Sequence, residues 1–279
     1  MKKLLFSALA LTLTFASFAQ INTPSPSPGA EISQSVGLTK IMVEYARPAM
    51  KGRTIFADKG LVPFGEIWRT GANSATKITL GEDMSLGGVE MKGGDYAVLT
   101  RPNAKEWTFM FYPYESSSWN SYTEQEPAAK VSVMVTKSGA SVESFTIGVN
   151  NVTESTATLD FSWENTLVSI PVKVSVHEKV MADIKRIMAG PSANDYYAAA
   201  SYLNTSGTDN KLALEYIQKA NETKEPRFWM VRREALILAD LGRKAEAIEA
   251  AKRSMALAKE AGNMDYVRMN ENSIAEWSK

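Results

Sequence analysis

Apolar and polar side chains alternate along much of the chain between residues 31 and 176. Ile41, Val43 and Tyr45 are separated by Met42 and Glu44, Trp107, Phe109 and Phe111 by Thr108 and Met110, and Leu159, Phe161 and Trp163 by Asp160 and Ser162. Side chains of a strand point alternately to its two faces, so this period of two predicts strands with one face buried. Val131, Val133 and Val135, then Phe145, Ile147 and Val149, then Val168, Ile170, Val172, Val174 and Val176 extend the pattern. Turn formers interrupt it at Gly87-Gly88, Gly93-Gly94-Asp95, Pro102-Asn103, Ser138-Gly139, Asn150-Asn151 and Glu164-Asn165. The last of these, read as Glu164-Asn165-Thr166, predicts a hairpin. Many short strands with no helical crossover between them make an antiparallel sheet fold, and a β-sandwich is the expected form. Pro171 inside the last run places that stretch on an edge or at a bulge.

The period changes at His177. Val180, Ile184, Ile187 and Met188 have helical spacing, and Gly190-Pro191 supplies a stop. Helices are then expected over residues 194–203, 212–221, 245–258 and 264–277. Ala213, Ile217 and Ala220 are echoed by Ala247, Ala251 and Ser254 at an offset of 34 residues, the period of a tetratricopeptide repeat. The fold class is therefore an all-β domain over residues 31–176 followed by an all-α, helical-repeat tail over residues 177–279. Two such repeats are fewer than a free-standing array needs, so the helices are expected to pack on the sheet domain or on a partner.

The N-terminal end reads differently again. Met1-Lys2-Lys3, an apolar run to Phe18 and small residues up to Ala19 match a secretory leader, cleaved after Ala19. The expectation is a periplasmic or secreted protein with no transmembrane segment, the leader being too short to span a bilayer. Residues 20–30, with Pro24, Pro26 and Pro28 at alternate positions, read as a linker or an edge segment. Without Lys2 and Lys3 the chain carries 29 basic and 31 acidic side chains. That balance does not suit nucleic acid, whose phosphates demand a basic surface. There is no cysteine, which removes disulfides and thiolate metal sites, and His177 is the only histidine, which removes imidazole-based zinc sites. No metal, no cofactor and no phosphate-cradling loop is indicated.

Chemistry concentrates in the segment Pro63-Phe64-Gly65-Glu66-Ile67-Trp68-Arg69-Thr70-Gly71-Ala72-Asn73 and just upstream of it, in Tyr45-Ala46-Arg47-Pro48 and Lys51-Gly52-Arg53. Arg47, Arg53 and Arg69 offer forked donors for an anion, with Glu66, Trp68 and Asn73 beside them. The alternative is structural: the arginines pair with Glu44, Glu66 or Glu164, Trp68 fills core, and Gly71 makes a tight turn. Paired carboxylates for hydrolysis would be sought among Glu66, Asp95 and Glu164. His177, at a strand-to-helix junction, reads as a helix-start residue. Trp107, Phe109 and Phe111 are core by alternation, whereas Tyr114, Trp119 and Tyr122 are candidates for an exposed aromatic surface.

These segments, together with Gly87-Gly88-Val89, Gly93-Gly94-Asp95-Tyr96-Ala97-Val98-Leu99 and Trp107-Thr108-Phe109-Met110-Phe111, resemble the bacterial domain-of-unknown-function family 2911 over residues 24–176. Phe64 stands where that family commonly has tyrosine, and Gly94 where an alanine–glycine pair is usual. The resemblance implies an exported, mostly β domain of Bacteroidetes-type bacteria with a helical tail, and implies no substrate. The functional expectation is a non-enzymatic binding or scaffolding protein, with an envelope protein or peptide as partner of the helices. The alternative is a sugar- or anion-binding protein, or a hydrolase, using Arg47, Arg53, Arg69 and Asn73 with Glu66 or Glu164.

Overall fold

A computed structural model of the chain describes residues 23–188 and 190–279. The expected leader and its cleavage point after Ala19 lie outside the described residues. The chain forms two compact units, divided between Val176 and His177, as the change of period predicts.

The first unit begins with β1 (Gly29–Val36), two residues ahead of the expected boundary, and β2 (Thr39–Ala46). Two very short strands follow, β3 (Phe56–Ala57) and β4 (Val62–Pro63), then β5 (Thr76–Leu80), β6 (Met84–Leu86) and β7 (Val89–Met91). The remaining strands are longer: β8 (Gly94–Pro102), β9 (Glu106–Pro113), β10 (Ala129–Met134), β11 (Thr136–Asn150) and β12 (Thr156–Val174). One sheet has the order β1-β2-β5-β8-β9-β10 and a second the order β11-β12-β6-β7, while β3 and β4 form a small parallel pair. Every pairing within the two large sheets is antiparallel.

The inner faces of the two sheets meet through aromatic rings, as the alternation requires. Phe109 of β9 lies 4.7 Å from Phe161 of β12, and Tyr45 of β2 lies 5.8 Å from Phe145 of β11. Trp107, Phe109, Phe111, Phe145, Phe161 and Trp163 are all buried. Burial of such side chains supplies the main stabilising term for a chain without disulfides.

Two turn expectations fail. Glu164-Asn165-Thr166 makes no hairpin: β12 runs through it for 19 residues, with Glu164 at φ +54° and opposite Val142 at a break in register. Ser138-Gly139 likewise lies inside β11, between the pairs Lys137↔Thr166 and Val142↔Glu164, where the register shifts. Both are irregularities within strands that twist and bend them, and a bulge uses the same residues that a turn does. Pro171 stands at the end of the β12–β6 ladder, where its carbonyl accepts from Gly87 N–H at 2.7 Å.

The six-stranded sheet is also covered on its outer side. Ala97, Leu99, Met110 and Tyr112 form a second, smaller apolar cluster with Ala75 and Tyr122, against which Ile67, Tyr114 and Trp119 pack. Tyr122, expected on the surface, is wholly buried. Its hydroxyl accepts from the N–H groups of Glu115 and Ser116 and donates to Ser116 O, so it pins the loop from residue 114 to residue 122 onto the sheet.

On the same sheet, Lys77 bridges Asp95 at 3.2 Å and Glu44 at 3.3 Å. The hydrogen bond from Thr79 holds the Asp95 carboxyl below the ordinary range, with Lys77 adding to the effect; Asp95 first, then Glu44, raises Lys77. The carboxylate contribution is present above about pH 4 and lost as pH falls through its lowered value, and the lysine contribution is lost only above about pH 10.4. With these groups partly exposed, Asp95→Asn is expected to cost no more than about 1 kcal/mol at pH 7. The gap in urea midpoint between variant and wild type is expected to close as pH drops toward 2.

Among its described residues the second unit holds six helices: α1 (His177–Ile187), α2 (Ala193–Thr205), α3 (Asn210–Asn221), α4 (Phe228–Asp240), α5 (Lys244–Glu260) and α6 (Met264–Trp277). Ser192 and Asp195 form a reciprocal capping box at the start of α2, and Asp209 caps α3. The positions read at the 34-residue offset, Ala213, Ile217, Ala220, Ala247, Ala251 and Ser254, are all buried. Small residues there allow close approach of neighbouring helices. His177 opens α1, as expected, with Nδ1 3.2 Å from the Tyr202 hydroxyl.

Candidate functional site

The glycine-rich segment after β4 is built into the six-stranded sheet. Beyond Val98, where β5 stops pairing with β8, Trp68 takes the vacated lane: its N–H donates to Thr100 O at 2.7 Å and its carbonyl accepts from Thr100 N–H at 2.8 Å. Gly65 N–H bonds Pro102 O at 2.8 Å in the same lane. The backbone reaches this path through four residues in the left-handed half of conformational space: Gly65 (φ +81°), Thr70 (+57°), Gly71 (+156°) and Asn73 (+61°). Glycine and asparagine tolerate this; a β-branched threonine does not, and such a residue stores about 1–3 kcal/mol of strain. Thr70 is fully buried and held by its neighbours, its hydroxyl 3.2 Å from that of Thr100 and its carbonyl accepting from Thr76 Oγ1 at 2.7 Å. The sequence marks none of these three threonines.

The Trp68 ring is surrounded by Phe145 at 5.0 Å, Phe56 at 5.8 Å, and Trp107 and Trp163 at 5.9 Å, stacked on the last, and its Nε1–H donates to Gly71 O at 3.1 Å. It is thus core on most sides, while its remaining edge floors a cleft of about 360 Å³. Trp163, Pro48, Val62, Pro63 and Ile67 complete an apolar floor and wall, and Arg53, Glu66, Arg69 and Trp119 bring polar atoms and an aromatic rim. The Arg69 guanidinium lies 5.6 Å from the centre of the Trp119 ring, and its Nε is buried with no hydrogen-bond partner among the described residues.

Four of the six expected site residues, Arg53, Glu66, Trp68 and Arg69, therefore line one cleft. The three-arginine clamp does not form. Arg47 turns to β11, donating from Nε to Phe145 O at 3.1 Å and from Nη2 to Thr146 Oγ1 at 2.7 Å. Arg53 bonds the carbonyls of Met50 and Ala49 in its own loop, at 2.9 and 2.7 Å. Nor do the arginines meet carboxylates: among the described residues none of the three makes an ion pair, and Glu164 instead accepts from Phe56 N–H at 3.4 Å. Backbone carbonyls satisfy most of these guanidiniums, and such acceptors leave no mark in a sequence. Asn73 faces an adjoining cleft and donates to Ser27 O at 3.1 Å. Trp119, expected only as an exposed aromatic, and Trp163, read only as a strand position, also belong to the site.

A family described as "Protein of unknown function (DUF2911)" matches residues 27–172, more than half of the chain. The protein belongs to this family. The match covers the whole motif segment and nearly all of the two sheets of the DUF2911 domain, and ends ahead of the helices, so it does not identify them as tetratricopeptide repeats. No curated protein and no solved structure matches the chain. Among the described residues, no three His, Asp or Glu side chains are grouped as a metal ion would need, and no helix is long and apolar enough to cross a membrane.

Proposed function

We propose that the DUF2911 domain is a non-enzymatic binding module for a small organic anion that carries an aromatic or apolar group, and that it works in the periplasm or outside the cell. The observation that carries this reading is Arg69. A guanidinium without a carboxylate partner, set against Trp119 above a floor of Trp68 and Trp163, offers forked donors in surroundings where water competes poorly. The floor takes the ring and the arginine takes the charge. Binding is favoured over hydrolysis because, among the described residues, Glu66 is the one carboxylate lining the cleft, while Glu164 is engaged by Phe56 N–H.

The test is a thermal-shift panel of aromatic and aliphatic carboxylates, sulfates, phosphates and sugar acids. Ring-bearing monoanions are expected to raise the melting temperature of the wild type, and Arg69→Ala to abolish the shift. A flat panel, or shifts that survive Arg69→Ala, would contradict the reading.

The helical unit supports a second role, presentation of a peptide-binding surface to an envelope partner. A shallow groove of about 570 Å³ runs along α4 and α5, lined by Glu234, Leu238, Ala245, Glu249, Ala250 and Arg253. Helical repeats commonly use such surfaces. A pull-down from the cell envelope is expected to lose its partner when Ala245 and Glu249 are both replaced by arginine. Equal retrieval by both proteins would count against this role.

A further inference from the structure

A second cleft, of about 560 Å³, adjoins the first, and the two share Ser27 and Ala72 in their walls. The Asn73 amide, bonded to Ser27 O, fixes the strap between them. One loop roofs both: Trp119 stands against Arg69 at the first cleft, and Tyr114 stands 5.4 Å from Lys77 Nζ at the second. Because the Tyr122 hydroxyl pins that loop with three hydrogen bonds, the two clefts keep a fixed relation.

Their charges are opposite. Arg53 and Arg69 face Glu66 in the first, whereas Glu31 and Glu44 face Lys77 in the second. Glu31 and Glu44 are direct partners across β1 and β2, an arrangement that repels. Lys77 relieves it only in part, since it is shared between Glu44 and Asp95, and Glu31 has no ion pair among the described residues. A positive group is missing from the second cleft as a negative one is from the first.

Resting on the anion-binding reading above, we infer that the ligand is dipolar: a short peptide whose C-terminal carboxylate meets Arg69, whose last side chain is apolar and lies on Trp68, and whose upstream basic side chain enters the cleft of Glu31 and Glu44. A peptide end joins these three features through an extended backbone that spans about 3.3–3.6 Å per residue. It satisfies both clefts at once.

Isothermal titration of the full chain with N-acetyl-lysyl-glycyl-phenylalanine tests this. Converting the peptide's carboxylate to an amide is expected to weaken binding at least about tenfold, because charged hydrogen bonds are strong ones. Replacing its lysine by glutamate is expected to weaken binding about threefold, the scale of a solvent-exposed charge pair. Glu31→Gln should narrow the lysine–glutamate difference and leave the carboxylate dependence intact. If the carboxylate matters while lysine and glutamate peptides bind alike, the dipolar inference is overturned and the anion cleft stands. Tighter binding of a sugar acid or of phenylacetate than of every peptide overturns the peptide as occupant. If the acid and amide peptides bind alike, the anion reading falls together with this one.

Discussion

Replacing Trp68 by alanine is expected to lower the stability of the DUF2911 domain by about 3–5 kcal/mol, seen as a lower urea midpoint at unchanged slope. The magnitude follows from what the ring touches: four aromatic neighbours within 6 Å and the carbonyl of Gly71. Alanine would leave a cavity between the two sheets at the point where the motif segment is sewn onto β8. Trp68→Phe keeps a ring in place but loses the bond to Gly71 O, so it is expected to cost less. Were Trp68 only a wall of an open cleft, both variants would lose about 0.5 kcal/mol or less, the range of ordinary surface substitutions. Urea titration separates these outcomes without knowledge of the ligand.

Gly71→Ala is expected to cost about 1–3 kcal/mol, from backbone strain joined to a steric conflict. A Cβ there would lie 3.1 Å from both Ala46 O and Thr76 Oγ1. Thr76 cannot retreat freely, because its hydroxyl bonds the carbonyl of the strained Thr70. The substitution therefore presses on one of the contacts that hold Thr70 in its left-handed conformation, and the Trp68 Nε1 bond is to Gly71 itself. Gly88 provides the comparison: it also has positive φ, at +85°, yet nothing lies within 4 Å of its Cβ position. Gly88→Ala should show the backbone effect alone, and equal losses at the two sites would refute the steric part of the argument.

The division into a sheet unit and a helical unit was legible because the hydrophobic period itself changes at His177. Strands with one buried face were legible for the same reason. What misled was local: Glu164-Asn165 and Ser138-Gly139 have turn chemistry, but a bulge in a long strand draws on that chemistry too, and only the partner strand distinguishes the cases. Tyr122 was misplaced because alternation reports one buried face per strand, whereas β8 and β9 are covered on both. In the site, aromatic and arginine content marked the right segment, while the orientation of each guanidinium depended on distant carbonyls such as Phe145 O. Thr70 carries no signal at all, since its strain belongs to the backbone and not to its composition.

On the proposed reading, Arg69 receives a negative charge in the cleft floored by Trp68 and Trp163. Its most direct test is a four-way calorimetric titration that pairs wild type and Arg69→Gln with phenylacetate and its uncharged amide. The account predicts that removing either charge weakens binding about tenfold and that removing both weakens it little further, a coupling of about 1.4 kcal/mol between ligand and residue. Equal affinity of the wild type for acid and amide would contradict it.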